Sequence, residues 1–163
     1  MPHRLASLSQ VICDIYDAAV DATLWPKAMQ SSCIFIGGSQ ALIFWHDATD
    51  AELTATHLYN TDLHFLQLYV EKYVALNPIF PASLFSDVAA VGRVHSSTDL
   101  VPMDEQKETR FYKEWVEPQG IADTLAVALE KERMSGAYFV LYWTGGVTDD
   151  DTRHRMTLLV PHL

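Results

Sequence analysis

The sequence predicts an α+β fold, an α/β/α sandwich in which helices cover both faces of a sheet of roughly five largely antiparallel strands. Three observations predict it. Apolar residues at three- and four-residue spacing mark helices at both ends of the chain and between them. Apolar runs of strand length, rich in β-branched and aromatic residues, separate those helices. Two pairs of such runs are joined by short polar turns, and a tight turn can join only antiparallel neighbours.

The elements follow in order. Leu5, Leu8, Ile12, Ile15 and Ala19, widened by Val11 and Tyr16, form the stripe of an amphipathic helix over residues 4–20, ended by Asp21-Ala22-Thr23. Trp25 and Met29 begin a second helix, which Gly37-Gly38 stops. Ala41 to Trp45 and Leu53 to Tyr59 read as a hairpin across the polar turn Asp47 to Asp50. Asn60-Thr61-Asp62 can cap the next helix, which carries Leu63, Phe65, Leu66, Tyr69, Val70 and Tyr73. Asn77-Pro78 ends it, because the residue before proline is driven out of the α region. Residues 79–87 are a short helix or loop, Val91 to His95 a weak third strand, and Ser96 to Asp99 a loop.

Glu105 to Glu117 is a charged helix with Phe111, Tyr112 and Trp115 on its apolar side, closed by Pro118-Gln119-Gly120. Thr124 to Lys131 alternates, with Leu125, Val127 and Leu129 on one face. A polar turn leads to the longest strand, Gly136 to Thr144. Thr148 opens the last helix as the cap of a capping box with Asp151. Asp149, Asp150 and Asp151 also suit the positive end of the helix dipole, which explains the triplet without a metal. The ending, Leu158 to Leu163, is still apolar, as in a helix that runs on into a linker.

A length of 163 residues fits one domain over 1–163 with a real core. No apolar run approaches the roughly 20 residues of a membrane span. Met1-Pro2-His3-Arg4-Leu5 lacks the features of a signal peptide, so the cytoplasm is the expected compartment. The net charge is −10 and the 11 basic residues are scattered, which argues against direct nucleic-acid contact by this domain. Cys13 and Cys33 lie in apolar helical patterns and read as buried reduced thiols.

Chemistry is hard to find. No phosphate loop or nucleophile elbow is present. None of the 7 histidines sits at ligand spacing with a second ligand set. Neither cysteine has an activating neighbour. No cofactor, metal site or catalysis is expected. The aromatic residues are more informative, because Phe44, Trp45, Phe65, Tyr69, Tyr73, Phe111, Tyr112, Trp115, Phe139, Tyr142 and Trp143 all fall on core-facing elements. Such rings either fill a core or line an apolar hollow for a small organic ligand.

Three stretches resemble the N-terminal sensory domains of LuxR-type transcription regulators, whose sandwich is PAS- and GAF-like. They are Leu24-Trp25-Pro26, then Phe65-Leu66-Gln67-Leu68-Tyr69 followed by Asn77-Pro78, and Arg110-Phe111-Tyr112-Lys113-Glu114-Trp115-Val116-Glu117-Pro118-Gln119-Gly120-Ile121 before two strands. The ending resembles the helix leading to that family's DNA-binding helix-turn-helix, a domain expected to be absent from these 163 residues. The resemblance implies a pocket with Leu42, Phe44 and His46 on the sheet and Phe65, Tyr69 and Tyr73 on the helix opposite. Ala126, Ala137 and Phe139 would form the floor, with Asn77 and Trp115 completing the site. In the acyl-homoserine-lactone branch an Asp-Pro supplies a carboxylate to the ligand amide; here Asn77 stands in its place and offers a weaker, uncharged acceptor. The last strand has bulky Phe139 where that branch has a small polar residue, and a tryptophan ahead of the charged helix has no counterpart.

The resemblance therefore implies a ligand-sensing regulatory domain for a small hydrophobic or aromatic signal, and the departures at Asn77 and Phe139 argue against a lactone. It would be homodimeric and would reach DNA only through a linked domain. Two alternatives remain open: a ligand-free dimerisation module of such a regulator, and a small enzyme on a similar sandwich. Tyr69, Asn77 and His46 carry polar atoms that need partners if buried, and they are the sharpest site candidates.

Overall fold

The computed structural model describes residues 7–49 and 52–163. In chain order the elements are α1 (Leu8–Val20), α2 (Trp25–Ile36), β1 (Gln40–Asp47), β2 (Glu52–Tyr59), α3 (Leu63–Leu68), α4 (Ile79–Phe85), β3 (His95–Ser96), α5 (Met103–Glu108), β4 (Ile121–Lys131), β5 (Ser135–Thr144) and α6 (Asp150–Leu159). The N-terminal residues through Leu5, and Asp50 of the first turn, lie outside the described residues.

The sheet order is β2-β1-β5-β4-β3, and every strand pairs antiparallel with its neighbours. This is the α+β sandwich expected from the sequence. Strand alternation gives the sheet two faces with different covers. On one face Ala41, Leu125, Val127, Phe139 and Leu141 pack against Val11, Ile15, Met29, Cys33, Ile36 and Met156 of α1, α2 and α6. On the other, Leu42, Ala128, Tyr138 and Val140 meet Phe80 and Leu84 of α4. Farther along that second face, Tyr69, Tyr73, Phe111, Trp115 and Ile121 form another cluster.

This alternation corrects the expected pocket floor. Phe139 is fully buried beneath α1, α2 and α6, and Ala137 shares its parity. Tyr138 and Val140 face the other side. Residues 137–143 are all apolar or aromatic, so hydrophobicity offers no phase for this strand, and a one-residue slip exchanges the faces.

The close seat of α2 on the sheet depends on two glycines. Gly37 ends the helix at φ 98°, a left-handed conformation suited to a residue without Cβ. A Cβ on Gly38 would fall 2.8 Å from Leu141 Cδ2.

Other departures have local causes. In α1 the buried positions are Val11, Asp14, Ile15 and Ala18, while Cys13, Tyr16 and Ala19 face outward. The stripe turns because the Asp14 carboxylate is buried with a partner, Lys27 Nζ at 2.9 Å. Cys33 is buried as expected, and burial pushes its thiol pKa up to about 12. The third strand shrinks to His95–Ser96, with only an isolated parallel bridge from Val91 to Ala128. The charged helix breaks at Thr109, whose hydroxyl donates to Gln106 O and accepts from Tyr112 N–H, ending one helical segment and starting the next. Asp149, not Thr148, caps α6, in a capping box with Thr152. Thr148 instead donates its N–H and hydroxyl to Asp123 Oδ2.

Candidate ligand-binding site

Two segments arch over the second face of the sheet, and both are π-helical where they cross it. The chain after α3 winds wider at Tyr69–Tyr73, closed by Val74 N–H bonding to Tyr69 O. After Thr109 it does so again at Tyr112–Val116, closed by Glu117 N–H bonding to Tyr112 O. Wide turns of this kind are rare and concentrate at functional sites. At the surface Glu114 joins the two, accepting from Lys72 Nζ (3.0 Å), Tyr73 Oη (3.0 Å) and Arg110 Nε (2.9 Å). Those hydrogen bonds, that from Arg110 first, hold the Glu114 carboxyl at about 2.

Beneath the arch lies a cavity of about 100 Å³, with a smaller neighbour of about 50 Å³. Phe44, Tyr69, Asn77, Trp115 and Tyr142 line both, so the two meet at a neck built mostly of rings. Together they compare with the roughly 150 Å³ apolar cavities that take up benzene. Tyr69 lies 5.1 Å from Trp115 between ring centroids, Phe111 stacks on Trp115 at 5.2 Å, and Tyr142 meets Trp115 edge-on at 6.3 Å.

The polar groups fall into two sets. The first is satisfied by the protein. Trp115 Nε1 donates to Phe65 O at 2.8 Å. Asn77 Oδ1 accepts from Ile79 N–H at 2.8 Å, which fixes the orientation of its amide and opens α4. Asn77 Nδ2 then donates to Tyr69 Oη at 2.9 Å. The Ser83 hydroxyl donates to Phe80 O at 2.7 Å and lies 3.2 Å from Tyr138 Oη. Asp123 accepts from Thr124 N–H and twice from Thr148.

The second set has capacity left over. Tyr69 Oη accepts from Asn77 but donates to no described residue, and burial pushes its pKa up to about 12. Tyr142 Oη makes no hydrogen bond among the described residues; burial raises its pKa, and the neighbouring Tyr69 raises it further. His95 is 2% exposed, and its Nδ1 lies 3.1 Å from Arg93 O. A carbonyl only accepts, so Nδ1 carries the proton and Nε2 presents a lone pair. Burial lowers the pKa of His95, which keeps it neutral.

Of the residues singled out by sequence, Phe44, Tyr69, Asn77, Trp115 and Ala126 line the larger cavity and Leu42 the smaller one. Four of them stand at the neck. His46, Phe65, Tyr73, Ala137 and Phe139 line neither. His46 stacks on Phe80 at 3.5 Å, its Nδ1 is buried without a hydrogen-bond partner among the described residues, and burial lowers its pKa to about 4. Phe65 gives its carbonyl to Trp115, and Tyr73 turns its hydroxyl to Glu114. Sequence reasoning missed Tyr138, Val140 and His95 as lining residues. The first two follow from strand parity. His95 follows only from its register opposite Ala126, which no local pattern announces.

Among the described residues, no group of three or more His, Cys, Asp or Glu is placed to hold a metal ion, and no helix is long and apolar enough to cross a membrane.

No protein-family model matches the chain, and no curated protein matches it in sequence. Solved structures do. The ligand-binding domain of VqsR from Pseudomonas aeruginosa is similar at a TM-score of 0.73 and 12% identity, over 94% of this chain and 89% of that one. CepR2 from Burkholderia cenocepacia, an N-acylhomoserine-lactone-dependent LuxR-family transcription factor, is similar at 0.63 and 15% identity, over 95% and 92%. A GAF domain from Pseudomonas syringae pv. tomato is similar at 0.51 and 13% identity, over 94% and 81%. The chain thus has the α+β fold of LuxR-type ligand-binding domains, with a GAF domain as a more distant relation in shape.

Proposed function

We propose that this chain is the ligand-sensing regulatory domain of a LuxR-type bacterial transcription regulator. It binds a small hydrophobic or aromatic signal and passes that event to a linked DNA-binding domain. The observation that carries the reading is the ring-lined cavity between the sheet and the two π-helical segments. The binding residues are Leu42, Phe44, Tyr69, Asn77, Trp115 and Ala126 together with Tyr138, Val140 and Tyr142. The domain works in the cytoplasm as a homodimer, without catalysis. Likeness in fold to the VqsR ligand-binding domain and to CepR2 supports this reading.

A ligand shifts a conformational equilibrium only by its preference for one state, and filling the cavity favours the state in which the arch is closed over it. A thermal-shift screen of small neutral organic molecules tests the proposal. A ligand at about 100 times its dissociation constant stabilises by about 2.7 kcal/mol, or about 5–10 °C for a chain of this size. A screen without a hit above about 1 °C, on a scale where 1 kcal/mol gives 2–4 °C, overturns it. Light scattering tests the dimer: a monomer at high concentration removes that part of the proposal alone.

A further inference from the structure

We infer that the ligand of this cavity is an uncharged aromatic molecule bearing a hydrogen-bond acceptor for the hydroxyls of Tyr69 and Tyr142 and a donor for Nε2 of His95. The inference rests on the ligand-sensing reading and gives that site its chemistry.

The aromatic preference comes from the walls. Trp115 is the hub of the neck, with Tyr69, Phe111 and Tyr142 all in ring contact with it. A planar π-system can join such a set by offset or edge contacts, which an alkyl chain cannot reproduce. The exclusion of charge comes from what is missing among the lining residues. None is a lysine or arginine, so a buried carboxylate or phosphate would have no counter-charge. The single carboxylate, Asp123, already takes three hydrogen bonds from Thr124 and Thr148, so a cation gains little from it.

The polar pattern follows from counting protons. Tyr69 accepts from Asn77 and still has its own proton to give. Tyr142 has its proton and no hydrogen-bond partner among the described residues. Both phenols stay protonated because burial opposes ionisation. Two donors on residues of the neck therefore remain for a ligand acceptor. On the accepting side His95 offers Nε2, because Nδ1 is held by Arg93 O. Gln106 donates its amide N–H to Val101 O and leaves its oxygen as a further acceptor among the lining residues. Asn77 adds a weaker acceptor, since its uncharged carbonyl oxygen already accepts from Ile79 N–H. A ligand amide that needs an anionic acceptor at that position finds an uncharged oxygen that already accepts from Ile79 N–H.

A set of probes with nearly the same shape separates these claims. Benzamide has a carbonyl acceptor and an N–H donor. Acetophenone keeps only the acceptor, and α-methylstyrene has neither. Benzoate and benzamidinium carry opposite charges. Calorimetric titration and thermal shift of the 163-residue chain are the readouts. Benzamide should bind most tightly, acetophenone about three- to tenfold more weakly, and α-methylstyrene more than about tenfold more weakly. Benzoate and benzamidinium should give no shift. Tyr142→Phe should weaken benzamide about three- to tenfold and leave α-methylstyrene unchanged.

Equal binding of benzamide and α-methylstyrene, or a charged probe binding better than benzamide, overturns the inference while leaving a ligand site. So does an unchanged benzamide affinity in Tyr142→Phe. No binding by any of the five probes, with hits elsewhere in the wider screen, also overturns the ligand class alone. No hit in either experiment overturns the sensing reading with it.

Discussion

Two alanines on one strand test whether the space under Tyr69 is real. Ala126 and Ala128 are two residues apart on β4 and belong to the same face of the sheet. Ala126 lines the cavity, whereas Ala128 is fully buried against Leu42, Phe80 and Tyr138 and lies off its wall. Ala126→Leu adds three carbons to empty space. At about 0.8 kcal/mol per buried methylene, less about 0.5–1 kcal/mol of lost rotamer freedom, the gain is about 1.5 kcal/mol. For a chain of this size that is a rise of about 3–6 °C in Tm. Ala128→Leu forces the same carbons into packed atoms and should cost about 1–3 kcal/mol. Scanning calorimetry and urea titration of both variants give the two signs, and Ala126→Leu should also abolish benzamide binding. If both substitutions destabilise alike, the cavity does not exist in solution and the ligand-binding argument loses its foundation.

The other predictions concern the hydrogen-bond and charge assignments. Tyr69→Phe strands the Asn77 N–H and should cost about 1–3 kcal/mol, whereas Tyr142→Phe removes a hydroxyl with no hydrogen-bond partner among the described residues and should change the unliganded stability by less than about 0.5 kcal/mol. Equal costs in urea denaturation would show the inventory to be wrong. His46 is held near 4 in the fold, below its ordinary 6.5, because burial opposes its charge. The unfolded chain therefore binds a proton that the folded one refuses, and stability should fall by about 3 kcal/mol as pH drops from 6.5 to about 4. His95, lowered by burial too, acts in the same direction. His46→Phe keeps the stack on Phe80 and should flatten this part of the profile; an unchanged slope between the two proteins refutes the assignment. At Asp14 burial raises the pKa, but hydrogen bonds from Lys27, Gln10 and Ser31 outweigh it and leave it below 3.8. Its contribution is present above that value and lost as pH falls through the depressed one. Lys27→Met should lower stability at neutral pH and cost progressively less as pH falls through that depressed value and the carboxyl takes up its proton; a loss independent of pH would refute the pairing.

What the sequence revealed and what it hid divide along physical lines. Leu42, Phe44 and His46 could be put on one face because β1 follows a glycine stop and is flanked by a clear turn, which fixes where the strand begins. β5 carries apolar residues on both sides, so its phase comes only from pairing with β1 and β4, and pairing is a non-local fact. The same holds for His95, which reaches the site through a two-residue strand. Tyr69, Asn77 and Trp115 were legible because aromatic spacing and an Asn-Pro boundary are local signals. Their hydrogen bonds were not, and these change the chemistry: Asn77 serves Ile79 and Tyr69 rather than standing free. The break at Thr109 is also local, a hydroxyl that competes for backbone partners inside an otherwise helical pattern.

The two faces of the sheet also divide the energetics. The face under α1, α2 and α6 is closed by fully buried Phe139, Leu125, Leu141 and Met156, a filled core that holds the domain together. The other face combines two alanines with large rings and leaves a gap between them. An unfilled volume costs roughly 24 cal/mol per Å³, so a cavity of about 100 Å³ represents about 2.4 kcal/mol of absent packing. On the proposed ligand-sensing reading, a ligand that fills it would restore at most that amount to a closed arch and not to an open one. That difference would correspond to at most roughly a 60-fold shift in population, reached without any movement of the filled core. The parts positioned to respond are the π-helical turns Tyr69–Tyr73 and Tyr112–Val116, which touch the cavity with Tyr69, Tyr112 and Trp115 and are tied to each other through Glu114.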